Sequence, residues 1–465
     1  MGVLFQLIGT FILCFSCINI TLTLGWPSST ILLFKSENTT LNRPMKDTEI
    51  ALFGSLAAIG CLISNPIAAI LLDRLGRKYT VLLSAFIYVI AWSIMGLFKR
   101  VEVILVAMLI AGSGGAIFLG VNIFISEISQ DSIRGTMTAG PNQFYAVGYL
   151  VTYFLGGILS YNGMVYACVS LAVIGIIMIS LLKESPVYLM AKGREYDAAA
   201  SVAFYRSTNS ASSEVTTEMN NIRRILVSKS DDTERLNQVE GTLEPDREIV
   251  KLSCWQFFKN SPSTRREFYL VLVLKFAVIC QGLPVIQVYA EPVFAVLISD
   301  IMSPNLCSVL LGIVVLVSGL ISAYLVDIVG RRPLQIYSSI GAGLCCVILG
   351  TQILTEYLPK WMILIVFYIY AMFHASGCGT VPYVILAEVF LPEVKSILSM
   401  LAIEWTWICH FTCLFLFNLI IKWIGLSSVF YFFSICCFGS GVYFYYFLPE
   451  TKGLPVYAIQ ELFRK

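Results

Sequence analysis

Twelve runs of about twenty apolar residues divide this sequence, each long enough to cross the roughly 30 Å hydrocarbon layer of a bilayer as a helix. They lie near 5–26, 49–71, 79–98, 101–126, 139–161 and 164–182, then near 269–299, 305–326, 334–355, 361–387, 397–421 and 428–448. Backbone groups in lipid have no water to bond, so segments of this length must satisfy themselves internally as helices. With 57% apolar and 13% charged residues, the chain cannot keep its surface in water. An all-α membrane protein follows, with an N-terminal six-helix half (1–182) and a C-terminal six-helix half (269–448). Between them lies one long polar stretch (183–268), and a short tail (449–465) closes the chain.

The two halves repeat one another. Asp73-Arg-Leu-Gly76-Arg77-Lys78 returns as Asp327-Ile-Val-Gly330-Arg331-Arg332, 254 residues on. Glu127 with Arg134 returns as Glu388 with Lys395, 261 residues on, and Glu184 returns as Glu450 at an offset of 266. One Asp-x-x-Gly-Arg alone is a turn with a helix cap. Three ordered matches in one register argue for parallel pseudo-repeats.

Charge placement orients the chain. If the amino terminus is cytoplasmic, cytoplasmic segments hold 23 of the 31 lysines and arginines, external segments hold seven, and Lys275 lies inside the seventh span. The positive-inside rule therefore puts both termini in the cytosol. Asn38-Thr39-Thr40 then becomes an external glycosylation sequon between spans 1 and 2. A net charge of +2 gives no reason to expect a nucleic acid partner.

Nearly all of the 14 cysteines fall in apolar spans and read as packing residues, Cys254 being the clear exception. Cys14-x-x-Cys17 has no second pair or flanking histidines, so no zinc site is expected. No Gly-x-x-x-x-Gly-Lys-Ser/Thr loop occurs, and neither a cofactor nor ATP-driven pumping is implied. The polar stretch contains two helix-like pieces near 193–206 and 213–228, whose apolar faces (Ala198, Val202 and Phe204; Ile222, Ile225 and Leu226) predict a small helical bundle.

Taken together, the Asp73 and Asp327 motifs, Glu127-x6-Arg134-Gly135, Glu184-Ser-Pro186, Gly377-Cys-Gly-Thr-Val-Pro382, Glu388-x6-Lys395, Trp407 and Pro449-Glu-Thr-Lys-Gly453 carry a resemblance. Over nearly its whole length the chain resembles the sugar porters of the major facilitator superfamily, the group that includes glucose transporters and insect facilitated trehalose transporters. The resemblance implies twelve helices in two pseudo-repeated halves. It also implies a monomer that moves a sugar or polyol by alternating access, most naturally by facilitated diffusion at the plasma membrane, and a cytoplasmic gate of Asp73, Arg77, Glu127 and Arg134 with Asp327, Arg331, Glu388 and Lys395. Exposed pairs of this kind contribute about 0–1 kcal/mol each, enough in number to bias two states without freezing either.

A neutral polyol needs amides or hydroxyls for directional bonds and aromatic faces to stack on. Candidate ligands are Asn142 and Gln143 in span 5, Gln281, Gln287 and Tyr289 in span 7, Tyr383 in span 10, and Glu404, Trp407 and His410 in span 11. Tyr383 stands where the family usually has tryptophan after the proline, and His410 where it often has asparagine. No arginine accompanies the Gly112-Ser-Gly114-Gly115 run of span 4, and Ala69 and Ala323 replace two glycines. Span 7 departs most. The family's Gln-Gln-x-Ser-Gly-x-Asn reads Val278-Ile279-Cys280-Gln281-Gly282-Leu283-Pro284, which loses three hydrogen-bonding groups and puts a proline near the midplane, where freed carbonyls would face a cavity.

Glu404 is an acid inside an apolar run, and His374 and His410 are the only two histidines. Such groups tune substrate binding or couple a proton. Two alternatives to facilitated diffusion thus stand: a proton-coupled symporter, and a transport-deficient sugar sensor. A membrane-embedded enzyme lacks a nucleophile and base constellation.

Overall fold

The computed structural model describes residues 2–209, 212–238, 258, 261–298, 301–357, 359–454 and 456–464. Among these there is no β-strand. Spans 1 to 6 are Gly2–Ser16 continued by Ile18–Lys35, then Asp47–Arg74, Arg77–Leu97, Val101–Ile128, Asp131–Ile158 and Tyr161–Ser180. Span 7 runs in three pieces, Pro262–Cys280, Leu283–Val288 and Ala290–Ile298. Spans 8 to 12 are Pro304–Val329, Arg331–Thr355, Lys360–Glu388, Pro392–Ile424 and Leu426–Phe447. Ten of these helices are long and apolar enough to cross a membrane by themselves. The other two are span 5, whose inner face is polar, and span 7, which is broken.

Several helices outrun their apolar cores, because hydropathy marks the lipid-facing stretch and the caps lie beyond it. Three starts share one device. Ser185-Pro186, Ser261-Pro262 and Ser303-Pro304 each place serine at the N-cap, its hydroxyl accepting from the backbone N–H of Tyr188, Thr264 or Leu306. The proline that follows sits in the first turn, where its missing N–H costs nothing.

Within each half the pairing repeats: span 3 packs on span 6, and span 9 on span 12. Between the halves run two seams, span 2 against span 11 and span 5 against span 8. The outer pieces of span 7 also lean on Ile18–Lys35 of span 1.

Within the central polar stretch the described residues form helices at Glu195–Arg206 and Ser213–Gln238 that pack on one another. A further short helix, Pro186–Ala191, was not apparent from periodicity, being under two turns long. Leu189, Met190, Ala198, Val202, Val215 and Ile222 make its core. In water-facing surroundings burying such a side chain contributes about 1.5–3 kcal/mol each. The bundle is tied to the first half where Glu195–Arg206 packs on Gly2–Ser16, and just past span 6 Tyr205 donates to the Lys183 carbonyl (2.7 Å) and Ser201 to that of Glu184 (2.6 Å). A last helix, Val456–Arg464, buries Ile459 and Phe463 against the base of the second half. Cys307 lies in span 8, and Cys254 falls outside the described residues.

Candidate functional site

At one end of the molecule the repeated motifs fold into two matching charge clusters. Gly76 turns span 2 into span 3 at φ +104°, and Gly330 turns span 8 into span 9 at φ +98°. A side chain is excluded at both, since a Cβ would lie 2.4 Å from the Glu184 carboxylate at Gly76 and 2.7 Å from that of Glu450 at Gly330. The glycine turn lets the next two N–H groups cap a carboxylate: Arg77 and Lys78 donate to Glu184, Arg331 and Arg332 to Glu450. Burial pushes the Glu184 carboxyl above the usual carboxylate range, and these N–H groups act against that rise.

The arginine then joins three elements. Arg77 holds the Leu72 carbonyl (3.0 Å) and Glu127 (2.8 Å), and Ser185 donates to the same Glu127. Arg331 holds the Val326 carbonyl (3.1 Å) and Glu388 (2.8 Å), and Thr451 donates to Glu388 at 2.9 Å. Asp73 and Asp327 sit at the rim, 3.6 and 3.3 Å from their arginines.

Each cluster belongs to one half. In this conformation the clusters staple the ends of spans within a half, because Glu184 and Glu450 follow the last span of their own half. Arg134 and Lys395 lie on spans 5 and 11 and donate to the backbone carbonyls of Ser129 (3.4 Å) and Ala387 (2.6 Å).

The halves are joined at the opposite end. Tyr153 of span 5 donates its hydroxyl to the Gln287 carbonyl of span 7 (2.6 Å), and Asn305 of span 8 donates to the Tyr153 carbonyl (2.8 Å). Ser28 of span 1 accepts from the Glu291 N–H (3.0 Å), and Lys422 pairs with Asp47 at 2.7 Å. The Tyr153 end is held closed by these bonds.

Between these ends lie the sequence candidates. Gln143 covers Gly319 on the seam of spans 5 and 8, where a Cβ on the glycine would sit 3.5 Å from its amide oxygen. Asn142 is exposed beside it. Glu404 stands beside Asn65 and Cys61 of span 2 on the other seam, both carboxylate oxygens enclosed. The two seams are copies. The offset that carries Glu127 to Glu388 carries Gln143 to Glu404, and the one that carries Asp73 to Asp327 carries Asn65 to Gly319. Trp407 and His410 stack at 5.8 Å, His410 being buried against the Pro284 carbonyl. Tyr383 is 40% exposed and faces Tyr145 of span 5.

Span 7 corrects the sequence reading in two places. The helix breaks before the proline, at Gln281 and at Gly282 with φ +101°, where a Cβ would collide with Phe433 at 2.3 Å. The carbonyls freed there do not face a cavity: Val278 is taken by His374 (3.1 Å) and Gln281 by the Tyr370 hydroxyl (2.6 Å), both from span 10. Gln281 is fully buried, its amide donating to Ser339 (3.2 Å) and Ser440 (2.6 Å) of spans 9 and 12. It is a packing bond inside the second half. Gln287 and Tyr289 belong to the closed end. Tyr289 donates to the Leu414 carbonyl (3.1 Å), stacks on Phe417 at 5.0 Å and abuts Gly54 of span 2.

Five residues in three places were not read as functional from the sequence. Tyr145, Tyr149 and Tyr153 follow an i, i+4, i+8 stripe down span 5, a visible signal. Asn305 had none. Lys275 had the plainest, a cation inside an apolar run. Among the described residues no three or more His, Cys, Asp or Glu converge as metal ligands.

Comparison with known proteins agrees with this geometry. The family model described as "Sugar (and other) transporter" matches residues 18–463. The facilitated trehalose transporter Tret1 of Bombyx mori is 24% identical over 457 residues, covering 96% of this chain and 85% of that protein. Facilitated glucose transporter member 6 of Mus musculus is 23% identical over 434 residues, covering 88% and 82%. Among solved structures, the partially occluded inward open conformation of the xylose transporter XylE from E. coli superposes with a TM-score of 0.77 at 18% identity, over 97% of this chain and 99% of that one. The proton:xylose symporter XylE bound to 6-bromo-6-deoxy-D-glucose gives 0.74 at 18% identity over the full length of both.

Proposed function

The chain belongs to the sugar (and other) transporter family, and on that premise we propose facilitated diffusion of a sugar or related polyol as its mode of action. It is a multi-pass membrane protein of the twelve-helix major facilitator fold, a transporter and not an enzyme, working by alternating access between its halves. One observation supports the reading: among the described residues the bonds of Tyr153, Asn305, Ser28 and Lys422 gather between the halves at one end, while each charge cluster at the other end is completed within its own half. A protein built this way can part at one end without dismantling either half.

In this reading the motif end, both termini and the bundle are cytosolic, supported by the distribution of lysine and arginine, and the conformation is inward-facing. Asn38, exposed at the opposite end, carries a glycan on the outside of the plasma membrane. The substrate lies between the seams, where Gln143, Asn142 and Glu404 supply hydrogen bonds and Tyr383, Trp407 and His410 supply ring faces. A single chain encloses this site, so a monomer suffices.

Proton symport is the second reading, favoured by Glu404, whose enclosed carboxylate replaces the amide of the other seam. Uptake of radiolabelled hexoses and disaccharides into proteoliposomes, with and without an inwardly directed proton gradient, tests both. Uptake down the sugar gradient alone supports facilitated diffusion, and accumulation only with the proton gradient supports symport. Saturable binding with no flux identifies a sensor and overturns both.

A further inference from the structure

Lys275 of span 7 is fully buried, and its ammonium lies 3.2 Å from the centre of the Tyr383 ring with no hydrogen-bond partner. Among the described residues no carboxylate pairs with it. Three strong donors are thus met by one aromatic face. A cation in that position is costly, and its usual company inside a membrane is an opposite charge or a ring of carbonyls. The residue covering it is 40% exposed and lies near Tyr145 of span 5, on the other half. One aromatic side chain therefore separates an unpaired cation from the central site.

We propose that Lys275 and Tyr383 form an anion subsite of the central site, and that the substrates include sugars bearing a carboxylate, such as uronic acids. The inference deepens the transport reading and rests on it. A carboxylate offers two acceptors for charge-assisted bonds to the ammonium. The sugar ring attached to it offers an apolar face for the Tyr383 ring. In the empty site the tyrosine shields the cation by a cation–π contact. On binding, the ring turns from the ammonium to the sugar, and the carboxylate takes its place. An inorganic anion would use the ammonium but leave the aromatic face idle. A lipid phosphate would arrive from the bilayer, whereas the tyrosine opens toward span 5.

The test uses the purified full-length protein in proteoliposomes, with labelled D-glucuronate and D-glucose as paired substrates. Wild type is compared with Lys275→Met, which keeps length without charge, and Lys275→Arg, which keeps charge. The expected result is saturable glucuronate uptake by wild type, with the ratio of kcat/KM for glucuronate over glucose falling at least about tenfold in Lys275→Met and largely regained in Lys275→Arg. Glucose uptake without glucuronate uptake in wild type, or an unchanged ratio in Lys275→Met, overturns the subsite and leaves sugar transport standing. If wild type moves neither substrate, the transport reading fails. Glucuronate binding, read by tryptophan fluorescence, then decides the subsite separately: binding lost in Lys275→Met supports it, and no binding by wild type overturns it.

Discussion

Replacing Tyr153 with phenylalanine removes one oxygen atom from the closed seam and nothing else. The hydroxyl is buried and donates to the Gln287 carbonyl at 2.6 Å, in a contact that exists only while span 5 of one half touches span 7 of the other. A hydrogen bond of this kind contributes about 0.5–1.5 kcal/mol net, and leaving a buried acceptor unmet costs about 1–3 kcal/mol. The change should therefore disfavour the closed end by about 1–2 kcal/mol, a roughly 5- to 30-fold shift in a two-state equilibrium. Nitroxide labels at Glu37→Cys and Trp423→Cys report this directly. Both positions are exposed at the closed end, one on each half, and the described native cysteines are buried or half-buried. Double electron–electron resonance should show a longer label distance gaining population in Tyr153→Phe. Tyr149→Phe, one turn down the same stripe and facing Tyr145 of its own helix, should leave the distribution as in wild type. A distribution unchanged by Tyr153→Phe would refute the idea that this hydroxyl carries closure energy.

Further predictions concern the clusters and the surface. Arg331→Ala strands Glu388 with only Thr451, and should lower stability in detergent by about 1–3 kcal/mol, read as a fall in Tm of several degrees by tryptophan fluorescence. Gly330→Ala, at φ +98° beside Glu450, should cost about 1–3 kcal/mol in the same assay, with Gly439→Ala, where a Cβ meets nothing within 4 Å, as the neutral comparison. Glu184, raised above its ordinary 4.5 by burial, binds its proton more tightly folded than unfolded. That stabilisation is full below the unfolded value and fades as pH rises through the folded one, so the Tm of wild type minus that of Glu184→Gln should decline as pH rises past the ordinary carboxylate value. Asn38→Gln expressed in insect cells should run as a smaller band that glycosidase treatment no longer shifts.

The scaffold was legible because lipid leaves so few options. Spans of the required length and a repeated glycine turn are written in the sequence, and the Arg77 and Arg331 clusters could be foreseen as clusters. What sequence could not show was which half each partner came from: Glu184 and Glu450 look like loop residues until the last span of each half brings them back under the first turn. Gln281 misled for a similar reason. A polar residue one position before a helix break can point either way, and the break at Gly282 turns it toward Ser339 and Ser440. The pairing of Gln143 with Gly319 and of Glu404 with Asn65 needed the seams, although both offsets were already fixed by the gate motifs. Lys275 was visible throughout as a misplaced charge, but Tyr383, 108 positions later, gives it meaning.

The glycine turns and their carboxylate caps also set an order of events during synthesis. The first cluster is built from residues 73 to 185, so it can close as soon as Glu184 and Ser185 have left the ribosome, with the whole second half still unmade. The second cluster needs nothing from the first. A nascent chain thus meets its later half as a finished body, and the seam between them is a docking event between two products of one translation.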